Sequence, residues 1–182
     1  MRKVKFISLL LFIIMTNKTF AEPILKDNFQ VPEKWTYIAD DVMGGVSTGS
    51  FQYETNNDAT VALLSGKVST ENKGGFIQSR RNVSNSNLEK ANFVRIVAKG
   101  NNQKYFIHLR TTGTFLPWQY YAAEFIVEEN FKEFIIPITN FKKSGFFLTS
   151  KINAKNITSI GLVAFGRDHY AELYIQEVAF LE

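Results

Sequence analysis

From about residue 50 onward the sequence is a succession of short runs in which apolar and polar residues alternate, each closed by a cluster of Gly, Asn, Ser, Asp or Pro. A period of two is what a half-buried strand requires, because successive side chains leave opposite faces of a sheet. No stretch repeats its apolar residues at helical spacing. Strands are expected at 50–54, 60–64, 67–70, 75–81, 92–99, 103–110, 118–127, 131–138, 157–165 and 170–180. About ten strands and almost no helix point to an all-β sandwich.

The alternation also assigns faces. In 103–110, Tyr105, Ile107 and Leu109 share one face, and Phe106, His108 and Arg110 share the other. In 118–127, Tyr121, Ala123, Phe125 and Val127 form the core set, and Trp118, Tyr120, Ala122 and Glu124 point away from it. If Arg80 of an earlier strand lies beside them, then Arg80, His108, Arg110, Trp118, Tyr120 and Glu124 make an aromatic and polar surface suited to stacking on a sugar or gripping a partner protein. The alternative for Trp118 is that it caps the sandwich edge. In the last run Leu173 and Ile175 are two apart but Val178 is three beyond, a break that a β-bulge explains.

The first 21 residues stand apart. Arg2, Lys3 and Lys5 precede an uncharged stretch of ten residues, Phe6 to Met15, and Thr19-Phe20-Ala21 follows. The stretch is about half of the roughly 20 residues a membrane span needs, so 1–21 reads as a signal peptide cleaved after Ala21, with a secreted or periplasmic product. The remainder, 22–182, holds no linker, repeat or low-complexity block and reads as one domain. The formal charge of +4 belongs to the leader. Of 21 basic residues four lie there, leaving 17 of each sign in the rest of the chain. A balanced domain with scattered basic residues is a poor nucleic-acid binder, and no such partner is expected. With no cysteine, disulfides, thiolate zinc sites and cysteine nucleophiles are excluded.

The chemical motifs are few. Gly45-Val46-Ser47-Thr48-Gly49 matches the G-x-S-x-G nucleophile elbow, with Asp168-His169 downstream. An elbow needs a strand before it and a helix after it, whereas here a loop precedes and strand-like Phe51-Gln52-Tyr53 follows, so the match is read as accidental. The two histidines, His108 in mid-strand and His169 in a turn, are too few for a His-rich metal site. Asp40-Asp41 is read as shaping the turn before Gly44-Gly45, with an oxygen-ligand calcium site as the alternative. Gly44-Gly45 and Gly74-Gly75 supply positive φ or close backbone approach, and no helix N-terminus is expected there to cradle phosphate. No catalytic residue, metal or cofactor is expected.

The run from Trp35 through Asp40-Asp41-Val42-Met43-Gly44-Gly45-Val46-Ser47 resembles the W…D-x-V-M-G-G-x-S signature of the complex I intermediate-associated protein 30 family, assembly factors of NADH:ubiquinone oxidoreductase. Gly74-Gly75-Phe76-Ile77-Gln78-Ser79-Arg80 is similar to its G-G-F-x-x-x-R motif. Tyr121 to Phe125, Ile136-Pro137 with Phe141, and Ser159 to Leu162 resemble its later segments, so the likeness runs from Trp35 to Val178. It implies a galactose-binding-like jelly roll and a non-enzymatic, chaperone-like role in complex assembly, carried here by Trp35, Asp40, Met43, Gly44, Gly45, Ser47, Gly74, Gly75, Phe76 and Arg80. The family's G-D-G-x-x-Y turn is Gly100-Asn101-Asn102-Gln103-Lys104-Tyr105 here and lacks the acid. A leader would place a bacterial copy across the membrane from the matrix-side arm of complex I, so the implied role narrows to binding protein partners, an envelope or membrane complex included. A carbohydrate-binding module is the rival expectation. If the motifs are architectural, Arg80 is expected to pair Asp40 across the sandwich.

Overall fold

The alternating runs become strands in a computed structural model that describes residues 22–56 and 59–182; the expected leader, 1–21, lies outside the described residues. The strands are β1 (Leu25–Asp27), β2 (Trp35–Ala39), β3 (Thr48–Asn56), β4 (Ala59–Val68), β5 (Phe76–Asn82), β6 (Phe93–Gly100), β7 (Lys104–Thr111), β8 (Tyr121–Ile126), β9 (Lys132–Pro137), β10 (Lys142–Lys143), β11 (Ile157–Phe165) and β12 (His169–Leu181). Only short 3-10 turns interrupt them among the described residues.

One sheet runs β3-β4-β12-β6-β9, with β1 added beside β12, and the other runs β10-β8-β7-β11-β5-β2. Every pairing is antiparallel. The two sheets enclose one core, as an all-β jelly-roll sandwich does. Leu64, Ile96, Leu173 and Phe180 enter it from the first sheet, and Ile77, Tyr105, Leu109, Tyr121 and Leu162 from the second. Full burial of each such side chain is worth roughly 1.5–3 kcal/mol, and packing of this kind holds a chain that has no cysteine to cross-link.

Several boundaries differ from expectation for local reasons. The runs at 60–64 and 67–70 are one strand, β4, which passes through Gly66 with φ at 152° where a Cβ would meet the backbone of Thr48. The strand expected from residue 118 starts at Tyr121, because Trp118 belongs to a preceding loop closed by Gln119 N donating to Leu116 O at 3.0 Å. His169 opens β12 rather than sitting in a turn. Strands β1, β2 and β10 were not expected. The break in the last run is a register shift of β12 against β6 between Ile175 and Glu177, as a bulge requires.

The adjacent arginines of β5 have opposite fates. Alternation sends Ile77, Ser79 and Arg81 inward and Gln78 and Arg80 outward. Arg81 pairs with the buried Asp27, whose two oxygens also accept from Trp35 Nε1 and the Phe29 amide, each at 2.8 Å. Arg80 therefore does not reach Asp40 across the sandwich, contrary to expectation.

Candidate functional site

The densest motif is a structural knot. Asp40 is fully buried, at 0% exposure. Its carboxylate accepts from the Ser47 amide (2.9 Å) and hydroxyl (2.6 Å) and from the amides of Gly75 (2.5 Å) and Phe76 (3.2 Å). Burial alone would raise its pKa; the donors from Gly75, Ser47 and Phe76 outweigh that and hold the carboxyl below its ordinary value. The glycines follow from the same contacts. A Cβ on Gly45 would lie 2.8 Å from Asp40 Cβ, and one on Gly74 would lie 2.8 Å from its Cγ. Gly44 takes φ of 86°, the left-handed turn that brings the chain back onto Asp40. Asp40 thus clamps the turn after β2 to the start of β5.

Ser47 is consumed by that clamp. Its hydroxyl donates to Asp40 and accepts from the Ser69 amide at 3.0 Å, and the residue is buried. Asp168 accepts from the amide and hydroxyl of Thr70, both at 2.7 Å, and His169 Nδ1 faces the Arg167 carbonyl at 2.9 Å. These contacts give Ser47 no exposed nucleophilic position. No group of three His, Cys, Asp or Glu side chains able to hold a metal occurs among the described residues. In the turn lacking its acid, Asn101 Oδ1 accepts from Tyr105 OH at 2.8 Å, so the amide keeps an acceptor there. Of the motif residues, Met43 is exposed, and the Arg80 side chain makes no hydrogen bond or ion pair with the described residues.

The candidate surface residues gather on the outer face of the second sheet. Register places Gly161 of β11 between Arg80 of β5 and His108 of β7. Ala122 of β8 follows beyond His108. The neighbouring row carries Gln78, Val163, Phe106 and Glu124, and Ser159 stands beside Arg110. Tyr120 lies flat on His108, rings 3.8 Å apart and 9° from parallel, and Phe165 meets both edge-on. Under that ring His108 is 8% exposed, and its Nε2 has no hydrogen-bond partner among the described residues. Burial pushes the imidazole down to about 3, so it stands neutral at ordinary pH.

Two of the expected residues have other duties. Arg110 donates from Nη2 to the carbonyls of Thr114 and Leu116, both at 3.0 Å, and so holds the loop between β7 and β8. Glu124 pairs Lys104 at 3.2 Å. Trp118 stands on the loop, exposed and apart from the strand row. Between Arg80 on one side and the Tyr120–His108 stack on the other lies Gly161, which is itself buried. A Cβ on Gly161 would meet Gln78 Oε1 at 3.2 Å and His108 Cβ at 3.7 Å, so a larger side chain there would press on both neighbours. The first sheet's outer face differs: Lys26–Glu177 (2.7 Å), Arg95–Glu177 and Arg95–Glu133 (3.7 Å) neutralise it.

Among the described residues, twelve antiparallel strands in two sheets around one core define a jelly-roll β-sandwich. The family described as Complex I intermediate-associated protein 30 matches residues 25–175, and the chain belongs to that family. Solved structures are similar at the level of the fold. A family 11 carbohydrate-binding module from Clostridium thermocellum, in complex with a β-1,3-1,4-mixed-linked tetrasaccharide, superposes with a TM-score of 0.68 at 12% identity, covering 85% of this chain and 92% of that one. A CBM4 structure gives 0.51 at 17% identity, covering 90% and 97%. A family 30 carbohydrate-binding module gives 0.52 at 9% identity, covering 72% and 73%. No curated protein matches the chain.

Proposed function

We propose that this protein is a non-enzymatic binding domain that engages a protein partner through the outer face of its second sheet, in the manner of an assembly factor. The observation that carries this reading is Arg80. It is an arginine of the family motif, its guanidinium makes no hydrogen bond or ion pair with the described residues, and it lies across Gly161 from the Tyr120–His108 stack. Arginine and tyrosine around a small-residue floor have the composition of an interface hot spot, with the guanidinium free to take a partner carboxylate bidentately. Arg80 points away from the core, so Arg80→Glu is expected to leave the thermal transition in place while abolishing capture of the partner from envelope extracts. Gly161→Leu, whose side chain would press on Gln78 and His108, should also reduce capture by disturbing the same patch. Partner capture unaffected by both variants would sink the reading. On the same reading, the leader pattern supports export, and processing after Ala21 would be read from the N-terminal sequence of the secreted product.

A saccharide on the same face is the second reading, favoured by the flat Tyr120 ring and by the fold's likeness to carbohydrate-binding modules. It predicts saturable glycan binding that is lost in Tyr120→Ala.

A further inference from the structure

Away from Arg80 and the Tyr120–His108 stack, one end of the second sheet carries a different kind of surface. The loop between β7 and β8 and the loop after β10 meet there. Ser144 Oγ donates to Trp118 O at 2.9 Å, and Ser144 N donates to Tyr120 O at the same distance. Between them the loops expose Phe115 (84%), Trp118 (61%), Phe146 (88%) and Phe147 (89%), with Leu116 beside them. Large apolar side chains scattered singly on a surface need no explanation, but five on two adjoining loops do.

Their exposure is held in place. Gln119 is buried, and its Oε1 accepts from the amides of Phe115 (2.9 Å) and Leu116 (3.0 Å), while Arg110 grips the carbonyls of Thr114 and Leu116. Lys143 Nζ donates to the carbonyls of Phe146 (3.2 Å) and Leu148 (2.9 Å), and Leu148 is buried. The polar braces point inward and the rings point out.

Charge indicates what the rings meet. Residues 111–123 carry no charge, and residues 138–156 carry Lys142, Lys143, Lys151 and Lys155 without one acidic residue. All four lysines are exposed. In a chain whose charges outside the leader sum to zero, this end is apolar at its tip and cationic around it. That pairing complements a bilayer with an anionic surface: rings enter the headgroup boundary while lysines stay at the phosphates. Among the described residues no helix is long and apolar enough to cross a membrane.

We infer that the two loops form a membrane-docking tip for anionic lipid surfaces, seating Phe115, Trp118, Phe146 and Phe147 at the acyl boundary. Trp118 provides the readout, since the other tryptophan, Trp35, is buried. The full chain is mixed with vesicles containing about one-third phosphatidylglycerol and, separately, with phosphatidylcholine alone. On the anionic vesicles, Trp118 emission is expected to shift to the blue and to be quenched by brominated acyl chains, whatever the leader does. The double variant Phe146→Asp/Phe147→Asp is expected to weaken this response about tenfold or more, and Lys151→Gln/Lys155→Gln about threefold, with circular dichroism unchanged. Arg80→Glu should leave it intact, which separates this inference from the partner reading. Absence of Trp118 quenching overturns the inference. So does an equal response on uncharged vesicles, or a protein partner whose capture needs Phe146 and Phe147 while lipid does not respond.

Discussion

Asp40 sits where four donors converge, and its chemistry is fixed by their number. In Asp40→Asn an NH2 group replaces one oxygen and must face an amide or hydroxyl that donates, leaving buried donors unpaired. The expected cost is about 2–4 kcal/mol, read from urea unfolding, and a change below about 0.5 kcal/mol would show that the clamp is not needed for the fold. The native carboxyl also imposes a pH limit. Because its folded pKa is lowered, its stabilisation is complete above the unfolded value near 4 and is lost as pH falls through the folded one. His108 acts in a separate window. Its folded pKa is about 3 against an ordinary 6.5, so as pH falls below 6.5 the unfolded chain takes up a proton that the folded chain refuses. Stability should fall by about 1.4 kcal/mol per pH unit between about 6.5 and 3 through this one group. His169, also lowered chiefly by burial, contributes in the same direction, so the informative comparison is wild type against His108→Phe. The variant keeps a ring under Tyr120 and should flatten that slope; parallel pH profiles would refute the assignment. The sequence showed Asp40 and the glycines as a motif but not what they do, since the contact between Asp40 and Gly75 spans 35 residues. The Asp27–Arg81 pair, 54 residues apart, was illegible for the same reason.

Strand β12 shows what alternation can and cannot reveal. Leu173 and Ile175 face the core with Val178 and Phe180, although an odd spacing separates the two sets. Only an extra residue spliced into the strand reconciles them, and the register shift against β6 supplies it at Gln176. Deleting Gln176 would restore strict alternation without moving either set off its face. The expected result is a folded protein destabilised by only about 1–3 kcal/mol, with Val178 and Phe180 still protected in side-chain NMR spectra. Wholesale loss of dispersion in those spectra would mean that the bulge sets the register. Long strands and their faces were readable because a two-residue period repeats enough times to be seen, and His108 and Arg110 were placed on one face that way. Strands β1 and β10, three and two residues long, are too short to repeat anything. Trp118 was misplaced on a strand because alternation continues by accident through a loop whose conformation depends on the buried side chain of Gln119.

At the scale of the molecule, neither sheet has a core of its own. Each buries one face only against the other, so loss of either exposes the whole apolar interior. Charge leaves the two outer surfaces unequal: the first sheet carries the Lys26–Glu177, Arg95–Glu177 and Arg95–Glu133 pairs, while the second carries the unpaired Arg80 side chain beside the Tyr120–His108 stack and ends at the apolar tip. The inner faces must therefore supply the cooperativity. β12 lies between β6 on one side and β4 and β1 on the other, and β7 and β11 are interior strands of the opposite sheet. If the sandwich opens as one unit, backbone amides of Leu173 and Phe180 in β12, Ile107 in β7 and Leu162 in β11 should exchange with hydrogen-exchange free energies within about 1 kcal/mol of each other and of the global unfolding value. Lys142 and Lys143, in a two-residue edge strand, should exchange far faster. A second sheet exchanging several kcal/mol more readily than the first would show that it opens alone, carrying its outer face and the apolar tip with it as one layer. Matched protection would instead show that this layer is held by the first sheet, so that neither surface moves without unfolding the whole sandwich.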